Sequence, residues 1–471
     1  MVVIHSLPEG FESLVLSCKR IYGLCTPFLE HHNTLRWHFQ NFHYCKTNKP
    51  FKLNQELLTF RDTISSAFNL IARIAIEPVV AHYIQEADFG YDSRLGQGLD
   101  SRWTTHRYYC DQAVRELFAN SSYLAEAGLD WKQYYATVVE DHNAGRYSQH
   151  AAAFVLTLLP NLKVLRLPRW WKPAEAPNKL VDSVVHRTRK AQPLYHKPSR
   201  ARVIEFKENT VQGFDLDGVF SILALPNIQC LWLPKCVSTG SGHSNITSKY
   251  VYCAFMSSIE EVHLGKGAFI DEVAIANFLK HTPRLKILTY WHLSKDTGSQ
   301  NWDLCQFVTA IQCQVGDHLE TLSINIGKSQ VSCPPSKPSM SDFQRLQRLE
   351  LPLETAVCSL AAAALDGSEW SISDLVPASV SQLSLISRGT DDHAKVLHTL
   401  FHKFAARSSQ LPNLEEIHLS YHPNSSEMYK AQYAKLDVEA KKAGVALKRR
   451  EYTGPTYWTD DEEFLLESDS E

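Results

Sequence analysis

Three stretches of the chain share one phrase: LPNLKVLRLP at 159–168, LPNIQCLWLP at 225–234 and LPNLEEIHLS at 411–420. The polar letters vary while the apolar ones stay, so the constraint is on burial. The common skeleton is apolar-x-x-apolar-x-apolar. Its last two positions are one residue apart, the period of a strand, and therefore face the same side of it. The skeleton recurs at Leu162-Leu165-Leu167, Ile228-Leu231-Leu233, Ile259-Val262-Leu264 and Leu285-Leu288-Tyr290. It continues at Leu319-Leu322-Ile324, Leu346-Leu349-Leu351, Val380-Leu383-Leu385 and Leu414-Ile417-Leu419. A weaker copy, Ala201-Ile204-Phe206, and an early one, Ile84-Ala87-Phe89, extend the series.

Between copies the pattern switches to the helical period. Residues 270–283 place Ile270, Val273, Ala274, Phe278 and Leu279 along one face, and 302–315, 392–406 and 427–443 also read as helices. A strand–helix unit cannot bury its apolar side alone, and stacked neighbours bury it for each unit in turn. From Leu162 onward the copies stand 26–39 residues apart. The pattern resembles leucine-rich repeats, whose usual period is about 20–29 residues. It predicts an α/β fold: an irregular leucine-rich-repeat solenoid over 46–458 with a parallel sheet on its concave face, closed near Val445–Leu447. Polar stretches at 90–110, 236–250 and 327–341 are expected as surface loops. Residues 460–471 hold seven acids and no base, which predicts an acidic tail without structure over 459–471.

Composition excludes some partners. With 48 basic and 51 acidic residues the formal charge is −3, so neither nucleic acid nor an anionic membrane finds a basic excess. Eleven cysteines without paired spacing predict a reducing compartment, cytoplasmic or nuclear. Catalytic signatures are missing: there is no G-x-S-x-G, G-x-x-x-x-G-K-[ST], G-x-G-x-x-G or H-E-x-x-H. Cys18 and Cys25 are expected as small buried apolar groups, and no cysteine pair stands at zinc spacing beside His31-His32. The expectation is a non-enzyme with no cofactor and no metal.

The first forty residues carry a second pattern. LPEGFESLVLSCKRIYGLCTPFLEHHNTLRWHF (7–39) reads as helical, with Phe11, Leu14, Val15, Cys18 and Ile21 on one face. Within it, Phe11, Leu14, Leu16, Cys18, Lys19, Arg20 and Tyr22 write F-x-x-L-x-L-x-C-K-R-x-Y after a Leu-Pro pair. This resembles the second half of an F-box, as in F-box proteins of filamentous fungi, and marks 1–45 as a partial F-box-like segment. The outer Leu-Pro-x-Glu helix that normally opens an F-box does not precede it, so the expectation is either a start inside a longer reading frame or a docking surface that has lost half its contacts. The resemblance implies docking to the adaptor subunit of an SCF-type ubiquitin ligase, and through it to a cullin, with the repeats holding a protein substrate. Leu7, Pro8, Phe11, Leu14, Leu16 and Tyr22 would serve the adaptor contact or its packing. The bland reading is a repeat scaffold whose first helices are only a cap, unconnected to ubiquitination.

Substrate contacts are expected where strand side chains turn away from the core. Alternation assigns one outward column to Arg166, Trp232, His263, Thr289, Ser323, Glu350, Ser384 and His418. A parallel column holds Val164, Cys230, Glu261, Ile287, Thr321, Arg348, Gln382 and Glu416. Trp232, His263, Glu261, Arg166 and Thr289 are the substrate-binding candidates, led by Trp232 because Trp is enriched among binding hot spots.

Overall fold

Each copy of the skeleton that can be followed becomes a strand with its apolar positions inside. The computed structural model describes residues 8–44, 64–90, 92, 111–167, 171, 174–190, 203–206, 216, 223, 225, 228–238, 257–292, 302–326, 335–338, 340, 342–367, 370–421 and 425–451. The chain divides into two compact units, one of Met1–Gly265 with His281–Arg284, the other of Lys266–Lys280 with Leu285–Glu471.

The first unit holds β1 (Asn41–His43), β2 (Glu86–Asp88), β3 (Val164–Leu167), β4 (Val203–Phe206), β5 (Cys230–Leu233), the short β6 (Val237–Ser238) and the start of β7 (Glu261–Ile270). The ladder runs β1-β2-β3-β4-β5-β7 in parallel, with β6 beside β7. Register aligns Phe42, Ala87, Leu165, Ile204, Leu231 and Val262 in one row. The second unit holds β8 (Ile287–His292), β9 (Thr321–Ile326), β10 (Arg348–Pro352), β11 (Gln382–Ile386), β12 (Glu416–Tyr421) and β13 (Ala446–Glu451), parallel in chain order. There Leu288, Leu322, Leu349, Leu383, Ile417 and Leu447 form the row. The fold is mixed α/β with parallel strands that do not close into a barrel. Parallel sheets covered on both faces read as continuous apolar runs. In β3 and β8 buried and half-buried side chains alternate instead, so one face carries the core.

Parallel neighbours need crossovers, and helices supply most of them. Their starts are written in the sequence: Ser66, Ser121, Asp130, Ser148, Asp271, Asp303, Thr390 and Ser426 each accept a backbone N–H in the first turn of the helix that follows. Among the described residues no helix is long and apolar enough to cross a membrane.

The structure departs from the sequence reading in several places. A first strand, β1, lies inside the segment read as F-box-like, on a further copy of the skeleton, Phe39-Phe42-Tyr44, whose three side chains are buried. Asp271 caps the helix Glu272–Leu279, which turns Ala274, Ile275, Phe278 and Leu279 inward and leaves Val273 exposed. The helix expected over 392–406 breaks after Leu400, where Lys403 takes a left-handed backbone (φ 55°) and lets both Phe401 and Phe404 reach the interior. The expected surface loops send anchors inward: Asp92 accepts the Ala67 N–H, Cys236 is buried ahead of β6, and Met340 is buried. Most of the remaining residues of those loops, the tail 459–471 and Leu7 lie outside the described residues.

Candidate functional site

Two surfaces gather the residues singled out from the sequence. The first is the N-terminal helix pair, Pro8–Val15 and Lys19–Phe39. The turn at Leu16–Cys18 resets the helical phase, so Cys18 is exposed while Cys25 is buried with Phe11 and Val15, flanked by Ile21 and Leu29. Phe11 thus serves packing, Leu14 is half-buried, and Leu16 and Tyr22 stay exposed. Of Pro8 the structure gives the backbone, as the first residue of its helix.

His32 anchors this pair to the rest of the first unit. Its ring lies 4.6 Å from that of Phe11, and its Nδ1 is 2.6 Å from the Tyr83 hydroxyl. Burial lowers the His32 pKa and pushes that of Tyr83 up to about 12, so both stay neutral. On the outer side, Arg36 pairs with Glu12, and His31 lies 3.0 Å from Glu77. Leu16, Tyr22, Leu24, Phe28 and Trp37 are exposed, with Leu16 at 77% and Leu24 at 69%. Half of the large apolar side chains that are exposed among the described residues fall in this short stretch. Leu24, Phe28 and Trp37 were not singled out from sequence, although Leu24 and Phe28 stand at helical i, i+4 spacing.

The second surface is the outward face of β5 and β7. Register sets Cys230 beside Glu261 and Trp232 beside His263, a square of four side chains on two neighbouring strands. Trp232 is half-buried and stacks on the His263 ring, with centroids 3.8 Å apart and planes 18° from parallel. His263 Nε2 is 3.7 Å from Glu261 Oε2, and burial lowers the His263 pKa to about 4. Cys230, expected to face outward, is buried by its neighbours. The donor atoms of Cys230, Glu261 and His263 lie within 4.8 Å of one another. Arg166 is elsewhere in the first unit, 3.4 Å from Glu86, and Thr289 lies half-buried on β8 of the second unit.

From β9 to β13 the outward side chains of the second unit are mostly polar, and several pair with one another. Ser323 donates to Glu350, which Arg450 also reaches at 2.8 Å. Gln382 lies 3.0 Å from His418 and donates to Glu416, which Lys448 also contacts. Hydrogen bonds from Lys448, then His418, bring the Glu416 carboxyl down to about 2. Ser384, expected to face outward, is instead buried. It is a small side chain between the longer Glu350 and His418 on the flanking strands. No protein-family model matches the chain, and no curated protein matches its sequence.

Proposed function

We propose that the chain is a substrate receptor of an SCF-type ubiquitin ligase: an F-box-like helix pair ahead of a leucine-rich-repeat solenoid whose parallel sheet forms the concave, partner-facing side. The observation that carries this reading is the exposed apolar surface of Leu16, Tyr22, Leu24 and Phe28, which coincides with the stretch that resembles an F-box. Leu24 and Phe28, one helical turn apart, share a face, and large exposed apolar side chains on one face suit a protein contact better than water. The receptor performs no bond chemistry. It holds a protein substrate near the ubiquitin-loaded enzyme and so raises the effective concentration of the reacting lysine.

The test is direct binding of the purified full chain to the adaptor subunit, beside a Leu16→Glu/Leu24→Glu variant. Both side chains are exposed, so the variant should melt with the parent while losing at least about tenfold in adaptor affinity, since two charges would enter an apolar contact. Absence of binding by the parent chain would refute the reading. One observation favours a second reading, in which the helices only cap the first strands: Phe11 and Val15 are already buried, and His32 is fastened to Tyr83. On that reading the variant changes no interaction with the adaptor.

A further inference from the structure

We propose that Cys230, Glu261 and His263 form a zinc-binding site on the outward face of β5 and β7, a function separate from adaptor docking and independent of it. The strand ladder builds the site. Glu261 and His263 are two apart on one strand and so share a face, while Cys230 is the lateral neighbour of Glu261 on the next strand. Three donors of different chemistry, a thiol, an imidazole and a carboxylate, thereby converge with their ligand atoms within 4.8 Å of one another. An ion bound at ordinary zinc–ligand lengths of about 2.0–2.3 Å holds its donors about 3.5 Å apart. The 3.7 Å between His263 Nε2 and Glu261 Oε2 is already close to that, and small side-chain rotations bring in the remaining donor.

The donor set selects the metal. A thiolate with an imidazole and one carboxylate suits a borderline-soft divalent ion, whereas magnesium and calcium prefer all-oxygen sites. Trp232 stacked on His263 fixes the plane of the imidazole, so the ring is held in place before the ion arrives. Both strands are locked by parallel ladder hydrogen bonds, which limits how far the frame can relax around a wrong-sized ion. Binding releases the Cys230 thiol proton to solvent, and the bound form carries zinc on thiolate, neutral imidazole and carboxylate. Three protein ligands leave the fourth tetrahedral position open on the outward side, for water or for a donor from a bound partner.

The full chain, reduced and stripped of metal, would be titrated with cobalt(II) and then with zinc(II). The expected result is one equivalent of cobalt with the visible bands of a tetrahedral ion and a near-ultraviolet thiolate-to-cobalt band, all displaced by zinc. Cys230→Ser should abolish the thiolate band. His263→Gln should lower cobalt and zinc affinity by at least about 100-fold, the upper end of what removing a mere supporting contact costs. Glu261 is only half-buried, so Glu261→Gln should weaken binding while leaving the metal-free melting temperature in place. Zinc should raise the melting temperature of the parent chain and not that of Cys230→Ser or His263→Gln. Failure of the parent chain to take up cobalt stoichiometrically, or uptake unchanged in both Cys230→Ser and His263→Gln, would overturn the site.

Discussion

Leu231 and Trp232 are chain neighbours with opposite surroundings. Leu231 is fully buried in the row that joins β4, β5 and β7, while Trp232 turns outward onto His263. Leu231→Ala should therefore cost about 2–5 kcal/mol of stability, the range for emptying a packed leucine site. Trp232→Ala gives up an aromatic stack, worth about 0.5–1.5 kcal/mol, and the burial of only part of the ring, so it should cost less than Leu231→Ala. Denaturant unfolding of the two variants checks this: equal losses would mean that the strand faces are assigned the wrong way round. Alternation made this contrast legible from sequence. The Cys230–Glu261–His263 grouping was not legible, because ligand spacing is sought along the chain, and Cys230 is brought to Glu261 by strand register across 31 residues.

Within elements, the informative positions are those where a side chain or its absence fixes how a strand meets the next segment. Gly389, after β11, has φ +68°, and a Cβ placed there would stand 2.0 Å from Ser425 Oγ and 3.0 Å from its Cα. Its carbonyl accepts the Ser426 N–H at 2.8 Å, so the turn is pinned on both sides. Gly389→Ala should cost about 2 kcal/mol or more, from left-handed backbone strain plus the clash, and a lowered unfolding midpoint would report it. At the end of β8, His292 is buried, stacked on Trp302 at 3.7 Å, with its Nδ1 2.8 Å from the Tyr290 hydroxyl. Burial lowers its pKa to about 3, against about 6.5 in the unfolded chain. The unfolded state then binds the extra proton between those values, so this stabilisation is complete above pH 6.5 and is lost as pH falls. By pH 5 the loss from this one group is about 2 kcal/mol, and a His292→Gln variant should show a flatter decline of unfolding free energy between pH 7 and 5. The helices themselves were readable from apolar period, and their starts coincide with Ser, Thr or Asp capping residues. The helix break at Lys403 was not, since it answers to two phenylalanines seeking the same interior.

On the proposed receptor reading, docking and capture are expected to be separable. The apolar surface at Leu16 and Leu24 and the outward face at Trp232 use different residues on different elements. A chain carrying Leu16→Glu and Leu24→Glu should still retain its protein partner in a pull-down but no longer promote that partner's ubiquitination in a reconstituted ligase, because proximity is then lost. Loss of both activities together would argue against two separate surfaces. The sequence by itself determined the repeating strand unit, its register and most helix starts. Those depend on local spacing of apolar and capping residues, which stacking then reinforces in every copy. Only the tertiary structure decided that Phe39, Phe42 and Tyr44 begin the ladder, that Cys230 and Ser384 are sheltered, and that Leu24 and Phe28 are left uncovered. Burial on an outward face depends on the size of the neighbours across the strands, and exposure on a helix depends on whether anything packs against it. Neither quantity is written in the residue itself.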